Sequence, residues 1–202
     1  MVGTESQAHG SRSSVWIGVV IAIAVIAVLA LIGFTWYVSG YNRAVGLEQS
    51  VKESWAQVDV VIERRFDLIP NLVETVKGYA AHEKEVLEHL ADARTLYQKA
   101  QTVGDKAAAA GLFDKALVNV LALAENYPQL KANENFLKLQ DSLEGAENRI
   151  AVERMRYNTA VQALNTYYRS FFGGFFCHRA GVEMAQFYAA PEAKREVPKV
   201  KF

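Results

Sequence analysis

The chain has 202 residues, with 22 Lys plus Arg balancing 22 Asp plus Glu, and a single cysteine. This length suits one soluble domain beside an anchor, and zero formal charge supplies neither a basic surplus for nucleic acid nor an acidic solubilising tail. One thiol closes no intramolecular disulfide, so Cys177 points to no oxidising compartment and reads as packing.

Residues 1–14 are rich in Gly, Ser and other polar residues and read as a disordered tail. Residues 15–38 then carry no charged side chain. About 20 apolar residues at ~1.5 Å rise cross a bilayer core of ~30 Å, so this run predicts a transmembrane helix. Trp16 lies near one end, and Trp36 and Tyr37 near the other, a spacing that puts aromatic rings at both membrane–water interfaces. The run is longer than a signal-peptide h-region, and its only cleavage-like triplet, Val28-Leu29-Ala30, lies inside it. A retained anchor is expected. Arg12 precedes the run, whereas Arg43 and Lys52 come after it. The positive-inside rule then places a short N-terminus outside and the adjoining domain in the cytoplasm.

Residues 39–172 are helical in pattern almost throughout. Leu47, Val51, Trp55, Val58, Ile62, Phe66 and Ile69 step by three or four along one helix face. No polar linker or Pro precedes them, and Gly40 and Gly46 are the only weak points, so anchor and first domain helix are expected to be nearly continuous. Asp67 to Asn71, containing Pro70, predicts a stop. Asn71 and Glu74 have capping-box spacing. A second helix carries Leu72, Val76, Tyr79, Val86, Leu90 and Tyr97. Gly104 and Asp105 suggest a stop and a new cap, leading into a third helix that ends at Asn126-Tyr127-Pro128. Asn133 caps a fourth, with Phe136, Leu139, Leu143, Ile150, Tyr157, Val161, Leu164, Tyr168 and Phe171, which Gly173-Gly174 is expected to terminate. Nothing alternates with period two. The expected fold is all-α: one transmembrane helix and an antiparallel four-helix bundle.

Two segments resemble a known family. One is Arg64-Arg65-Phe66-Asp67-Leu68-Ile69-Pro70-Asn71-Leu72-Val73-Glu74-Thr75-Val76-Lys77-Gly78-Tyr79. The other starts Asn133-Glu134-Asn135-Phe136-Leu137-Lys138-Leu139-Gln140 and continues through Leu143-Glu144-Gly145-Ala146-Glu147-Asn148-Arg149-Ile150-Ala151-Val152-Glu153-Arg154. Both resemble the LemA family of bacterial membrane proteins, as does the ending Glu196-Val197-Pro198-Lys199-Val200-Lys201-Phe202. The resemblance implies one N-terminal transmembrane helix in a bacterial inner or cell membrane, a short outside N-terminus and a helical bundle. It implies no activity, no catalytic residues and no cofactor. Some relatives are associated with internal membrane organelles such as magnetosomes, or lie beside membrane proteases.

Chemistry has little to stand on. No phosphate loop, Cys-x-x-Cys or nucleophile elbow occurs. A metal-binding or enzymatic bundle could use His82, Glu85 and His89, spaced to share a helix face, but Glu-x-x-His is absent and a solvated charged face explains them better. Asp59, Glu63, Arg64, Arg65, Glu147, Glu153 and Arg154 flank apolar stripes and suit either paired charges at the core's edge or surface ion pairs.

Residues 173–202 form a Phe-rich, cationic C-terminal tail. Phe171, Phe172, Phe175 and Phe176 stand where the fourth helix has length enough to return to the bilayer, with Lys194 and Arg195 among the cations that would meet anionic headgroups. Lipid contact, self-association and plain packing are the three readings of that end. Together these features predict a non-enzymatic membrane-anchored scaffold. Its expected partners are the lipid bilayer, copies of itself or other membrane proteins, and no nucleic acid.

Overall fold

The computed structural model describes residues 10–188, with side chains from Trp16 onward. The helices are α1 (Gly10–Phe66), α2 (Ile69–Lys77), α3 (Lys84–Lys99), α4 (Val103–Asn126), α5 (Pro128–Lys131), α6 (Glu134–Tyr168) and α7 (Gly173–Ala180), and no strand occurs among the described residues. The described residues divide into two compact units, one of residues 10–46 and 167–183, the other of residues 47–166 and 184–188.

In the first unit, α1 starts at Gly10, inside the segment read as a tail, and runs through Gly40 and Gly46 without a break. Residues 16–36 are exposed, although almost all are apolar. An apolar surface on every side of a helix suits either a protein core or lipid, and here protein does not cover it. This stretch of α1 is long and apolar enough to cross a membrane.

The second unit has a packed core. On α6, Phe136, Leu143, Ile150, Tyr157 and Leu164 succeed one another at seven-residue intervals, and all are buried. Such a repeat keeps one seam of a helix turned toward its neighbours. On α1 the buried positions Val51 and Val58 are also seven apart, and the next such position is Arg65, buried to 6% exposure. Phe66 stacks at 4.7 Å on Tyr97 of α3 and edge-on at 5.1 Å on Phe113 of α4. Trp55 meets Tyr157 of α6 at 5.4 Å. Helix α4 also passes the length and composition test for a membrane span, but eight of its residues are buried here and it packs along α3, so it is a core helix.

Polar partners hold this core in register. The Arg65 guanidinium donates to Asp114 on α4 (2.7 Å) and Glu147 on α6 (2.9 Å), and lies 4.6 Å over the Phe113 ring. Lys106 on α4 donates to both oxygens of Asp59 on α1, at 2.6 and 2.7 Å, and the buried Tyr97 hydroxyl donates to the same carboxylate. Numbers rise together along α1 and α4 in these contacts. Against α3 and α6 they run in opposite senses, as Arg94 with Asp67 and Trp55 with Tyr157 also show.

Several boundaries differ from the sequence expectation. The second helix is two: Gly78 closes α2, and α3 starts only at Lys84. Asn71 is no cap. It lies within α2, which starts without a side-chain cap on the rigid φ of Pro70. The cap of α4 is Thr102, whose Oγ1 accepts from the Asp105 N–H (3.1 Å) and donates to the Asp105 carboxylate (2.7 Å). Asn133 does cap α6, its Oδ1 accepting from the N–H groups of Asn135 and Phe136 at 3.0 Å. Gly173-Gly174 does not end α6. That helix stops at Tyr168, and the glycines open α7.

The buried polar groups are open to direct measurement. Arg65→Ala leaves two carboxylates without their shared cation; because both keep some access to water, the loss should fall at the low end of the range for broken buried pairs, about 3 kcal/mol. Urea unfolding of the detergent-solubilised chain, monitored by near-ultraviolet circular dichroism, measures it. Burial and the neighbouring Asp59 carboxylate push the Tyr97 phenol far above its ordinary value. Above about pH 10 an unfolded tyrosine releases its proton while the folded one keeps it, so stability must fall as pH rises. Tyr97→Phe should flatten that alkaline fall in the same unfolding measurement.

Candidate functional site

Within the first unit, the chain turns sharply after α6. Ser170 Oγ donates to the Tyr167 carbonyl (2.7 Å) and accepts from the Gly173 N–H (3.2 Å). A Cβ at Gly173 would lie 1.8 Å from the Tyr167 carbonyl oxygen, so only glycine fits there. Helix α7 then ends on Gly181 at φ 68°, with the Val182 N–H bonded to the Cys177 carbonyl (2.9 Å) and the Gly181 N–H to that of His178 (3.3 Å). This is a Schellman stop, and Val182 supplies its buried apolar residue.

The turn brings α7 against the end of the apolar run on α1. Phe172 and Phe176 meet Trp36 at 5.1 and 5.0 Å, both edge-on, and Phe176 meets Tyr37 at 5.9 Å. Edge-to-face pairs of this kind each add about 0.5–1.5 kcal/mol beyond their buried area. Gly40 makes room for the Phe176 ring: a Cβ there would lie 2.3 Å from it. The Tyr167 hydroxyl donates to the Gly40 carbonyl (2.9 Å), and the Arg43 guanidinium lies 5.1 Å over the Tyr167 ring. Cys177 is fully buried on the same side, and burial pushes its thiol up, away from the reactive thiolate.

The four phenylalanines divide. Phe176 is 3% exposed and packs on α1, Phe172 packs on Trp36 yet is about as exposed as Phe175, both near half, and Phe171 is 92% exposed. The structure therefore joins Trp36, Tyr37, Phe172 and Phe176 in one aromatic cluster and leaves Phe171 and Phe175 on its open rim, against Phe172 and Phe176. Trp16 stands exposed at the opposite end of the apolar run. Lys194 and Arg195 lie outside the described residues.

The metal-site alternative is not assembled. His82 falls in the turn between α2 and α3, so it does not share a helix with Glu85 and His89, and all three are exposed. No group of three His, Cys, Asp or Glu able to hold a metal occurs among the described residues.

The second unit holds a feature that periodicity could not reveal. Residues 184–188 run extended along α6. The Asn165 side chain pairs with both backbone groups of Ala185 (2.9 and 3.0 Å), and the Asn158 side chain with both of Tyr188 (3.1 and 2.9 Å). Seven helical residues span ~10.5 Å and three extended ones ~10 Å, so the two asparagines match this strap in step. The Tyr157 hydroxyl donates to the Gln186 carbonyl between them (2.7 Å). The Tyr188 ring is buried beneath the Arg154 guanidinium at 4.5 Å, and burial pushes its phenol up to about 12. Arg154, a candidate paired charge in the sequence, stacks on an aromatic ring.

If Gly40 is the seat of α7, Gly40→Leu should expel the Phe176 ring and loosen the turn. Timed trypsin digestion in detergent should then cleave after Arg169 and Arg179 several-fold faster than in the parent chain. Gly46→Ala, whose added carbon meets nothing, should leave the rate unchanged.

Comparison with known proteins accords with this architecture. Residues 54–202 match the LemA family. Magnetosome proteins MamQ 2 and MamQ 1 of Paramagnetospirillum magneticum are each 29% identical over 175 residues, covering 73% of this chain and 64% of theirs. Magnetosome protein MamQ of Magnetospirillum gryphiswaldense is 27% identical over 167 residues, covering 69% of this chain and 61% of its own. The matched region thus spans less than two thirds of these relatives' length. The family match covers most of this helical chain, including the buried Arg65, the strap and α7: the protein belongs to the LemA family.

Proposed function

We propose that the chain is a single-pass, membrane-anchored scaffold without catalytic activity. It holds an antiparallel four-helix bundle at the cytoplasmic face of a bacterial inner or cell membrane, and its short N-terminus lies outside. The observation that carries this reading is α1 itself, whose residues 16–36 are apolar and exposed while its residues 51–66 contribute to a packed core. Leu, Ile, Val and Phe fill most of the exposed run, and each favours the bilayer centre by about 0.3–0.6 kcal/mol.

Tethering confines the bundle to two dimensions and raises its effective concentration for neighbours, including copies of itself and other membrane proteins. The relatives named as magnetosome proteins support a role in membrane organisation. The polar groups of the bundle find structural work, Arg65 on Asp114 and Glu147 and Lys106 on Asp59, which suits a binding body better than a reaction centre.

The anchor and its orientation are tested together. The full chain should stay in the membrane fraction after alkaline carbonate washing. In a Cys177→Ser background, Ser6→Cys should react with an impermeant maleimide on intact cells, and Ser142→Cys only after permeabilisation. Release by carbonate removes the anchor, and the reverse labelling pattern inverts the topology.

A further inference from the structure

We propose that α7 and the turn before it form a second membrane contact, one that lies on the headgroup layer and favours anionic lipid. The proposal rests on the anchored reading of α1 and adds a ligand class to it.

Trp36 and Tyr37 close the apolar run, so they mark the level at which α1 leaves hydrocarbon. Helix α7 is packed on those two rings and on Gly40, within the same unit, and is therefore held at that level. The inner side of α7 is occupied by Phe176 and Cys177, both buried. Its outer side carries Phe175, and the turn carries Phe171, the latter with 92% of its surface free. Large aromatic side chains left bare at headgroup depth meet lipid rather than water, and lipid is the one partner continuous with the surface that α1 already presents.

Charge selects the kind of lipid. The side chains described in this unit include Arg43, Arg169 and Arg179 against a single acidic residue, Glu183, and all four are exposed. Each cation near an anionic surface favours binding by roughly fivefold, and in the proposed orientation this is the cytoplasmic leaflet, which carries the anionic lipid. Arg43 is fixed over the Tyr167 ring, beside the joint between α7 and α1, so the cationic and aromatic groups are presented together. Docking on Trp36 also means that α7 needs no folding on contact. The helix is already formed and capped at Gly181, which removes the ordering penalty that a free amphipathic segment meets.

The test uses the full chain in nanodiscs of phosphatidylcholine alone, or of phosphatidylcholine with phosphatidylglycerol at about three to one. Spin labels at Phe171→Cys and Phe175→Cys, each in a Cys177→Ala background, are read by power saturation with oxygen and with a water-soluble nickel chelate. A label at Ile26→Cys reports the anchor. The expected result is oxygen-rich, nickel-poor signals at 171 and 175, deeper in the phosphatidylglycerol discs, with that difference removed by Arg169→Gln together with Arg179→Gln. Nickel access at 171 and 175 equal to that of a label at Ser142→Cys, with Ile26 still in lipid, overturns the proposal and spares the anchor. Spin–spin broadening at 171 or 175, abolished by dilution with unlabelled chain, overturns it in favour of contact between copies. Nickel access at Ile26 overturns the anchored reading itself. Equal depth in both disc compositions overturns the anionic preference.

Discussion

A peptide backbone in hydrocarbon has no water to satisfy its N–H and C=O groups, and residues 15–38 carry no charged side chain. Helix is the solution open to a single segment, because it satisfies every backbone group internally. The constraint reaches well beyond the apolar run. A helix imposed there has no reason to stop at its end, since Gly40 and Gly46 cost only about 1 kcal/mol each and the next proline is Pro70. The same α1 that presents bare Val, Ile and Leu early in its course therefore presents Val51, Val58 and Ile62 to a core later, with no linker between. Where it leaves the apolar run, its aromatic residues and one glycine provide the seat on which α7 docks.

The second unit depends on a different kind of constraint. Arg65 takes the position that the seven-residue spacing of Val51 and Val58 would assign to another aliphatic residue. A buried guanidinium is costly unless its partners are well placed, so the register in which Arg65 meets Asp114 and Glu147 together is strongly preferred over any slip by a turn. Apolar packing alone would discriminate less, since the seven-residue repeat of α6 offers nearly equivalent seats one heptad apart. Asp59, six residues before Arg65 on α1, works similarly, accepting from Lys106 and Tyr97 and so tying α1 to α4 and α3 at once. These groups specify geometry more than they add stability.

Periodicity governs how much of this architecture is legible in the sequence. The apolar run, the apolar stripe of α6 and the Asn133 cap are local patterns, and the structure carries each of them. The misreadings share a tertiary cause. Gly173 looks like a terminator, but it is glycine because the Tyr167 carbonyl passes 1.8 Å from where a Cβ would be. His82 is in step with Glu85 and His89 only if the helix is continuous, and the turn after Gly78 breaks that continuity. The strap has no signal of its own, since residues 184–188 have neither period. Their partners, Asn158 and Asn165, look like ordinary surface residues of α6 until the extended chain is laid beside them. Arg65 reads as a charge at the core's edge, but its partners lie 49 and 82 residues away, a separation at which spacing carries no information.

The division of labour among the aromatic residues bears on what such a protein can do. Tyr157 and Tyr188 are used inward: one hydroxyl secures the strap, and one ring lies under Arg154. Phe171, Phe172 and Phe175 are exposed. Exposed phenylalanine on a soluble surface invites aggregation, so three exposed rings in one segment, held there through a glycine-dependent turn, fit the proposed lipid contact. The exposed cations of the same unit, Arg43, Arg169 and Arg179, suit the anionic layer of that proposal. The exposed run of α1 calls for the same boundary, and two features of one unit that need the same solvent are better explained together than apart.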